Sequence, residues 1–209
     1  MREVRLTEEL KDGSAVDIRR LRPTDAPLLA GAFEQLGFES RRLRFMTPKP
    51  SLSPRELAYL TDVDGRRHEA LGATDHATGE GVGVARFIRL EDEPDVAEVA
   101  VTVIDAWQHR GLGTLLLERL ADQARSQGIT HFSALISNEN TGVLEVLRHA
   151  GGEIVPTAAG AGVVEYRTAL GSTGIGGDLR DALRSAASGR LRLPRRVASL
   201  LGALAHSAH

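Results

Sequence analysis

One stretch restricts what this chain can fold into more than any other: residues 98–128, EVAVTVIDAWQHRGLGTLLLERLADQARSQG. It opens on an apolar, β-branched run, residues 99–104, whose length and composition predict a buried strand. It closes on residues 114–127, where Leu115, Leu116, Leu120, Ala121 and Ala124 fall on one face at helical spacing, and Gly128 supplies a stop. Between them lies Gln108-His109-Arg110-Gly111-Leu112-Gly113. A glycine-rich turn at a helix N-terminus points several unpaired N–H groups at one spot, and the helix dipole favours an anion there. Glycine also lets a phosphate approach the backbone without a Cβ in the way. The pattern therefore predicts a pyrophosphate cradle.

Two familiar cradles are excluded. A dinucleotide fingerprint needs a third glycine where this chain has Leu116, and no G-K-S/T string is present for a P-loop. What remains is Gln-x-x-Gly-x-Gly between a strand and a helix. Glycines that serve only tight geometry stay open as an alternative.

At 209 residues the chain is one ordinary domain with room for an appendage. A net charge of -2 gives no global case for nucleic-acid binding. The absence of cysteine removes disulfides, thiolate metal sites and a cysteine nucleophile together. No signal-peptide core and no apolar run near membrane-spanning length is visible, so the expectation is a cytoplasmic protein without stable membrane insertion.

Residues 1–14 are polar and read as a loosely held arm, and residues 15–21 alternate as a half-buried first strand. A helix follows Pro23-Thr24-Asp25, and residues 39–46 (ESRRLRFM) form a second, whose three arginines are expected on a solvated face, with the lining of a cleft as the alternative. Ser53-Pro54-Arg55-Glu56 starts a third with a capping box. Residues 68–76 and 82–90 read as a hairpin, so Gly79, Gly81 and Gly83 are assigned to turn chemistry and not to a nucleotide loop. A strand at 131–136, a helix at 141–150 ended by Gly151-Gly152, and strands at 153–155 and 162–170 complete an α/β domain over residues 15–170 with a mixed central sheet. Residues 171–209 form a third region: a linker-like GSTGIGG, then a basic segment with an apolar stripe in Val197, Leu200, Leu201 and Leu204. That stripe could pack on the domain, form a homodimer contact or touch a membrane surface. A chain ending near Leu170 is expected to fold.

Glu98 shares a strand face with Ala100 and Thr102, while Val99, Val101 and Val103 face the other way. A carboxylate on the small-residue face could point into a cleft. It could equally be a surface glutamate at a strand entrance.

Residues 15–170 resemble a complete GNAT-superfamily N-acetyltransferase domain, and within it the bacterial Pat-type protein lysine acetyltransferases, which modify AMP-forming acyl-CoA synthetases. The likeness rests on ESRRLRFM at 39–46, AEVAVTVIDAWQHRGLG at 97–113 and SNEN at 137–140. It implies a mixed sheet, flanked by helices and splayed between the family's fourth and fifth strands, which begin here near Val96 and His131. It also implies acetyl-CoA as cosubstrate, no metal, and Glu98 as general base. The cradle would be Gln108, His109, Arg110, Gly111, Leu112, Gly113 and Thr114, with the backbone of Val101, Thr102 and Val103 on the pantetheine arm. Asn140 matches the family's cofactor-side asparagine, although plain helix capping at Asn138 or Asn140 is the simpler alternative. Leu147 stands where many relatives place a tyrosine acid, and Gly152 replaces a usual aromatic. The implied acceptor is a lysine on a protein. A small amine, or a silent acyl-CoA-binding module, are the alternatives.

Overall fold

In the computed structural model, residues 6–45, 49–149, 153–156 and 162–187 are described. The stripe at Val197–Leu204 and the stop at Gly151-Gly152 lie outside these residues. Strands β1 (Leu6–Glu9) and β2 (Ala15–Arg20) lead into α1 (Ala26–Glu34), α2 (Phe38–Phe45) and α3 (Pro54–Thr61). Strands β3 (His68–Asp75), β4 (Gly81–Arg89) and β5 (Val96–Val103) then precede α4 (Leu112–Ser126) and β6 (His131–Ser137). Helix α5 (Thr141–His149), strands β7 (Glu153–Pro156) and β8 (Val163–Ala169), and α6 (Gly177–Ala187) are the last described elements.

The strands form one sheet in the order β1-β2-β3-β4-β5-β6-β8-β7. Every described pairing is antiparallel except β5 with β6, which the α4 crossover makes parallel. One face carries Ala85, Phe87, Val99 and Val101 beneath Leu112, Leu116, Leu117 and Leu120 of α4, all buried in the main core. Gly83 sits under that helix because a Cβ there would come within 3.1 Å of Leu116 Cδ1. The other face carries Arg86, Glu98, Ala100 and Thr102, as the register of β4 on β5 requires.

Local signals explain most boundaries. Ser53 Oγ accepts from Glu56 N–H at 3.3 Å while Glu56 accepts from Ser53 N–H at 2.8 Å, closing the expected box at α3. The β3–β4 connection is a turn in which Asp75 accepts from Ala77 N–H and Gly79 adopts φ 75°, so Gly79 serves the hairpin turn while Gly81 and Gly83 lie within β4.

Two regions differ from the sequence reading. From Leu6 onward the polar arm is not loose: Leu6–Glu9 pairs along β2, and Leu10 is buried in the core. The residues after Leu170 are not a free linker either. Ile175 is 1% exposed and joins the core with Leu179 and Ala182. Arg125 donates to the carbonyls of Gly171 and Gly174, fixing the turn that a Gly-Ser composition had made look flexible.

Candidate active site

The site begins with a gap in the sheet. Strand β5 stays paired with β4 as far as Gly83–Val103, but its pairing with β6 ends at Glu98–Ser133. Leu90 N–H donates to Val96 O and Ile104 N–H to Val82 O, so the even-numbered residues of β5 turn their backbone groups toward β4. Val99, Val101 and Val103 therefore turn theirs into the gap. Val101 lies on it as the sequence expects, and the Val103 carbonyl accepts from Gln108 Nε2 at 3.1 Å. Thr102 differs: its backbone faces β4, and its hydroxyl accepts from Arg44 Nε at 2.9 Å.

At the far end of β5 the chain makes a 3-10 turn, Asp105–Trp107, and enters α4 at Leu112, two residues earlier than the periodicity indicated. Gly111 is the N-cap with φ 93°, a value that strains any residue with a Cβ. The first bond into the helix is Leu115 N–H to Gly111 O, so the N–H groups of Leu112, Gly113 and Thr114 have no acceptor within it. His109 also has positive φ, at 64°, which curls the turn over the helix start. Gly113 has no close neighbour: a Cβ there would meet only Val103 Cγ2, at an ordinary 3.7 Å. Arg110 stacks on Trp107 at 4.7 Å and pairs with Asp12 at 3.1 Å, so the N-terminal hairpin is docked beside the turn. That docking lays the Lys11 stem 3.7 Å from a would-be Gly111 Cβ. Cradle geometry and nearby positive charge fit a pyrophosphate.

Gln108 and Asp105 have a second task. Asp105 accepts from Ser40 Oγ at 2.7 Å and from Gly37 N–H at 3.2 Å, while Gln108 Nε2 donates to Asp105 at 3.2 Å. This knot fastens the start of α2 to the turn. Arg41 braces it by donating to Leu36 O and stacking on Phe33 at 4.6 Å. Helix α2 then aims Arg44 at the sheet. Arg44 is 5% exposed, not on the solvated face the sequence suggested, and sits over Thr102.

Glu98 lies at the point where β5 and β6 part, across from Ile88 and Ser133. Its Oε1 is shielded from solvent and accepts no hydrogen bond among the described residues. Loss of hydration, followed by the negative charge of Glu165 on β8, raises its carboxyl pKa to about 7, with the Arg44 guanidinium pulling the other way. Beside it, Arg86 on β4 is 2% exposed and donates to Leu60 O at 3.2 Å. Burial holds His68 down at about 4, so the ring at 3.1 Å from Arg86 Nη1 is a neutral acceptor. Arg44, Arg86, His68 and Glu165 were not singled out from the sequence. Only Arg44 carried a signal there, lying within the ESRRLRFM motif.

Asn140 is buried at the entry to α5, and its carbonyl accepts from Leu144 N–H at 3.1 Å, the N-cap position. Glu139 beside it pairs with Arg42 of α2, tying the β6–α5 loop to the same helix that carries Arg44. Leu147 is buried in the core on the α4 side of the sheet and offers no proton donor.

A split β5–β6 pair, a glycine cradle at the helix that follows and a carboxylate at the split define a class of acyltransferase. The chain belongs to the Acetyltransferase (GNAT) family, whose model matches residues 38–151, and it is an N-acetyltransferase. It is 33% identical to an acetyltransferase of Pseudomonas aeruginosa over 135 residues, which is 64% of this chain and 72% of that protein. It is 28% identical over 144 residues to the acetyltransferase Pat of Mycolicibacterium smegmatis, matching 68% of this chain but only 43% of that longer protein. The crystal structure of the GNAT domain of S. lividans PAT superposes with a TM-score of 0.72 at 32% identity, covering 79% of this chain and 97% of that one. The mixed sheet and its flanking helices agree with that fold. No described helix is long and apolar enough to cross a membrane.

Proposed function

We propose that this protein transfers an acetyl group from acetyl-CoA to a lysine side chain of a protein, an acyl-CoA synthetase being one candidate, by direct attack in a ternary complex. The observation that carries the reading is Glu98, a carboxylate titrating near pH 7 with an unoccupied lone pair at the mouth of the gap. A lysine ammonium loses its proton near pH 10.4, so an acceptor must be deprotonated before it can attack. Glu98 takes that proton, through a water where the amine does not reach it. The N–H groups of residues 109–114 hold the pyrophosphate, and the backbone of Val99, Val101 and Val103 takes the pantetheine arm as an added strand would. Bound there, acetyl-CoA supplies the activated carbonyl. No cysteine is available as an acyl carrier, which favours direct transfer.

A protein acceptor is favoured by the open groove of ≈ 620 Å³ beside the start of β5, bordered by Glu93, Asp95, Glu153, His131 and Arg167. Glu93 and Asp95, in the loop before β5, stand at its rim; Arg167 already pairs with Glu93, so Asp95 is the carboxylate that would draw a cationic side chain in. The relatives named Pat point the same way. Labelled acetyl-CoA incubated with the full chain and a cell lysate should mark lysines on a small set of proteins. Labelling of small amines alone, with no protein band, would replace this reading by that of a small-molecule acetyltransferase.

A further inference from the structure

On the face opposite α4, a partly open pocket of ≈ 70 Å³ lies beneath α1 and between α2 and α3. Apolar side chains form most of its wall; Arg19 lines it in a pair with Asp25, and two further guanidinium groups enter it, Arg44 from α2 and Arg86 from β4. Both are more than nine-tenths buried, and each has an N–H with no acceptor among the described residues: Nη1 of Arg44 and Nε of Arg86. One acid lines the same pocket, Asp25, and Arg19 occupies both of its oxygens at 2.6 and 2.7 Å. Glu98 is close enough to act on Arg44 but makes no hydrogen bond to it. Two buried cations thus share one site with no hydrogen-bonded counter-charge among the described residues, an arrangement that burial disfavours unless an anion completes it. Burial and mutual repulsion lower the Arg86 pKa to about 9, and burial lowers that of Arg44 to about 10.

We infer that this pocket is a carboxylate subsite, in which the open N–H groups of Arg44 and Arg86 hold a carboxylate on one of the two substrates. A guanidinium pair matches a planar, two-oxygen anion, and the apolar wall suits a short methylene chain leading to it. The carboxylate could arrive on the far end of a dicarboxylic acyl group or on the acceptor, as an α-carboxylate or an acidic side chain near the lysine. The inference rests on the proposed function only for placing the thioester and the amine beside Glu98.

The test uses the full chain and matched pairs that differ only in charge. For the acyl arm, succinyl-CoA is compared with butyryl-CoA by calorimetry without acceptor. For the acceptor arm, kcat/KM is compared for lysine peptides carrying aspartate or asparagine next to the lysine, and for free lysine against lysinamide. We expect one arm to favour the carboxylate by about 10- to 100-fold, since a site built around a charged hydrogen bond rejects the partner lacking it. Arg86→Gln should reduce that ratio to about one. Differences below about threefold in both arms overturn the inference and leave the arginines as structural braces. A preference that survives Arg86→Gln in a folded variant overturns it too. The parent comparison decides the matter even where that variant does not fold. Acetyl transfer to a plain lysine peptide is measured alongside. Turnover there without any carboxylate preference removes the subsite alone, whereas no turnover with any amine removes the proposed function.

Discussion

The two ends of β5 are built by different means. At the Val103 end, the working groups are backbone: a glycine with φ 93°, the open N–H groups of the first turn of α4, and a valine carbonyl held by Gln108. Everything needed there comes from about ten consecutive residues. At the Glu98 end the working groups are side chains, gathered from α2, β4, β5 and β8. In the proposed function the first end binds by shape and the helix dipole, and its ligand-facing groups need no titration. The second end is proposed to work because burial and neighbouring charges tune one carboxylate into the physiological range. A fold can thus hold a cosubstrate with a local motif, while its acid–base chemistry depends on tertiary structure.

That division can be broken from either end. Glu98→Gln keeps the shape and removes the base, so turnover should fall by roughly 10²–10⁴-fold. Acetyl-CoA affinity, read by calorimetry, should change little. Loss of binding together with turnover would show that the two ends are not separable. Gly113→Asp attacks the other end. Because a side chain at Gly113 meets only ordinary contact with Val103, the variant should fold with a thermal midpoint near the parent's. It should still bind acetyl-CoA about 10- to 100-fold more weakly, since a like charge then faces the phosphates. Parental affinity in a folded Gly113→Asp would move the pyrophosphate elsewhere. Gly111 is a poorer probe, because its positive φ makes any substitution a test of the backbone as well.

The same division explains what the sequence disclosed. The hairpin, the capping box at Ser53, the face shared by Glu98, Ala100 and Thr102, and a glycine turn ahead of a helix all depend on neighbours within a few residues or on strand alternation, and the structure has each of these elements. The environment of Glu98 does not. Arg86 sits in an apolar strand and Glu165 far along the chain from Glu98, and nothing in their spacing reveals that the first comes to act on Arg44 and the second on Glu98. Arg44 was assigned to solvent by the ordinary preference of arginine, and the knot of Asp105, Ser40 and Gln108 turns it inward instead. The glycine-rich segment after Leu170 misled for a related reason: composition predicts freedom, but Ile175 has a place in the core.

Arg44 gives a finer test of the Glu98 end. Its charge favours the ionised carboxylate, so Arg44→Gln should move the Glu98 inflection to higher pH, by about one unit for an opposite charge at short range. The rate at pH 7 should drop by about 5- to 10-fold, and much of it should return on the alkaline side, where the base is ionised again. A loss that is uniform across pH would mean that Arg44 acts through binding or folding and not through the base.

The smallest expected effect has the opposite sign. Glu165 is a like charge that favours the protonated form of Glu98, second in weight to burial. Glu165→Gln should therefore lower the inflection from about 7, by less than one unit because burial still dominates. Activity near pH 6 should rise by about two- to threefold, with the plateau above pH 8 unchanged. Stability follows the same sign. A carboxyl whose folded pKa lies above its unfolded value contributes stability below the unfolded pKa, and that contribution is lost as pH rises through the folded one. The parent should thus lose thermal stability between about pH 4.5 and pH 7 through Glu98, and Glu165→Gln should lose less over that window. Part of that gain is offset, because Glu165 also accepts from Arg167 at 2.6 Å and the variant weakens this pair. Arg167 keeps its bonds to Glu93 at 2.8 and 2.9 Å, so β8 stays anchored to the loop before β5. An inflection that stays in place in Glu165→Gln would assign the raised pKa to burial alone.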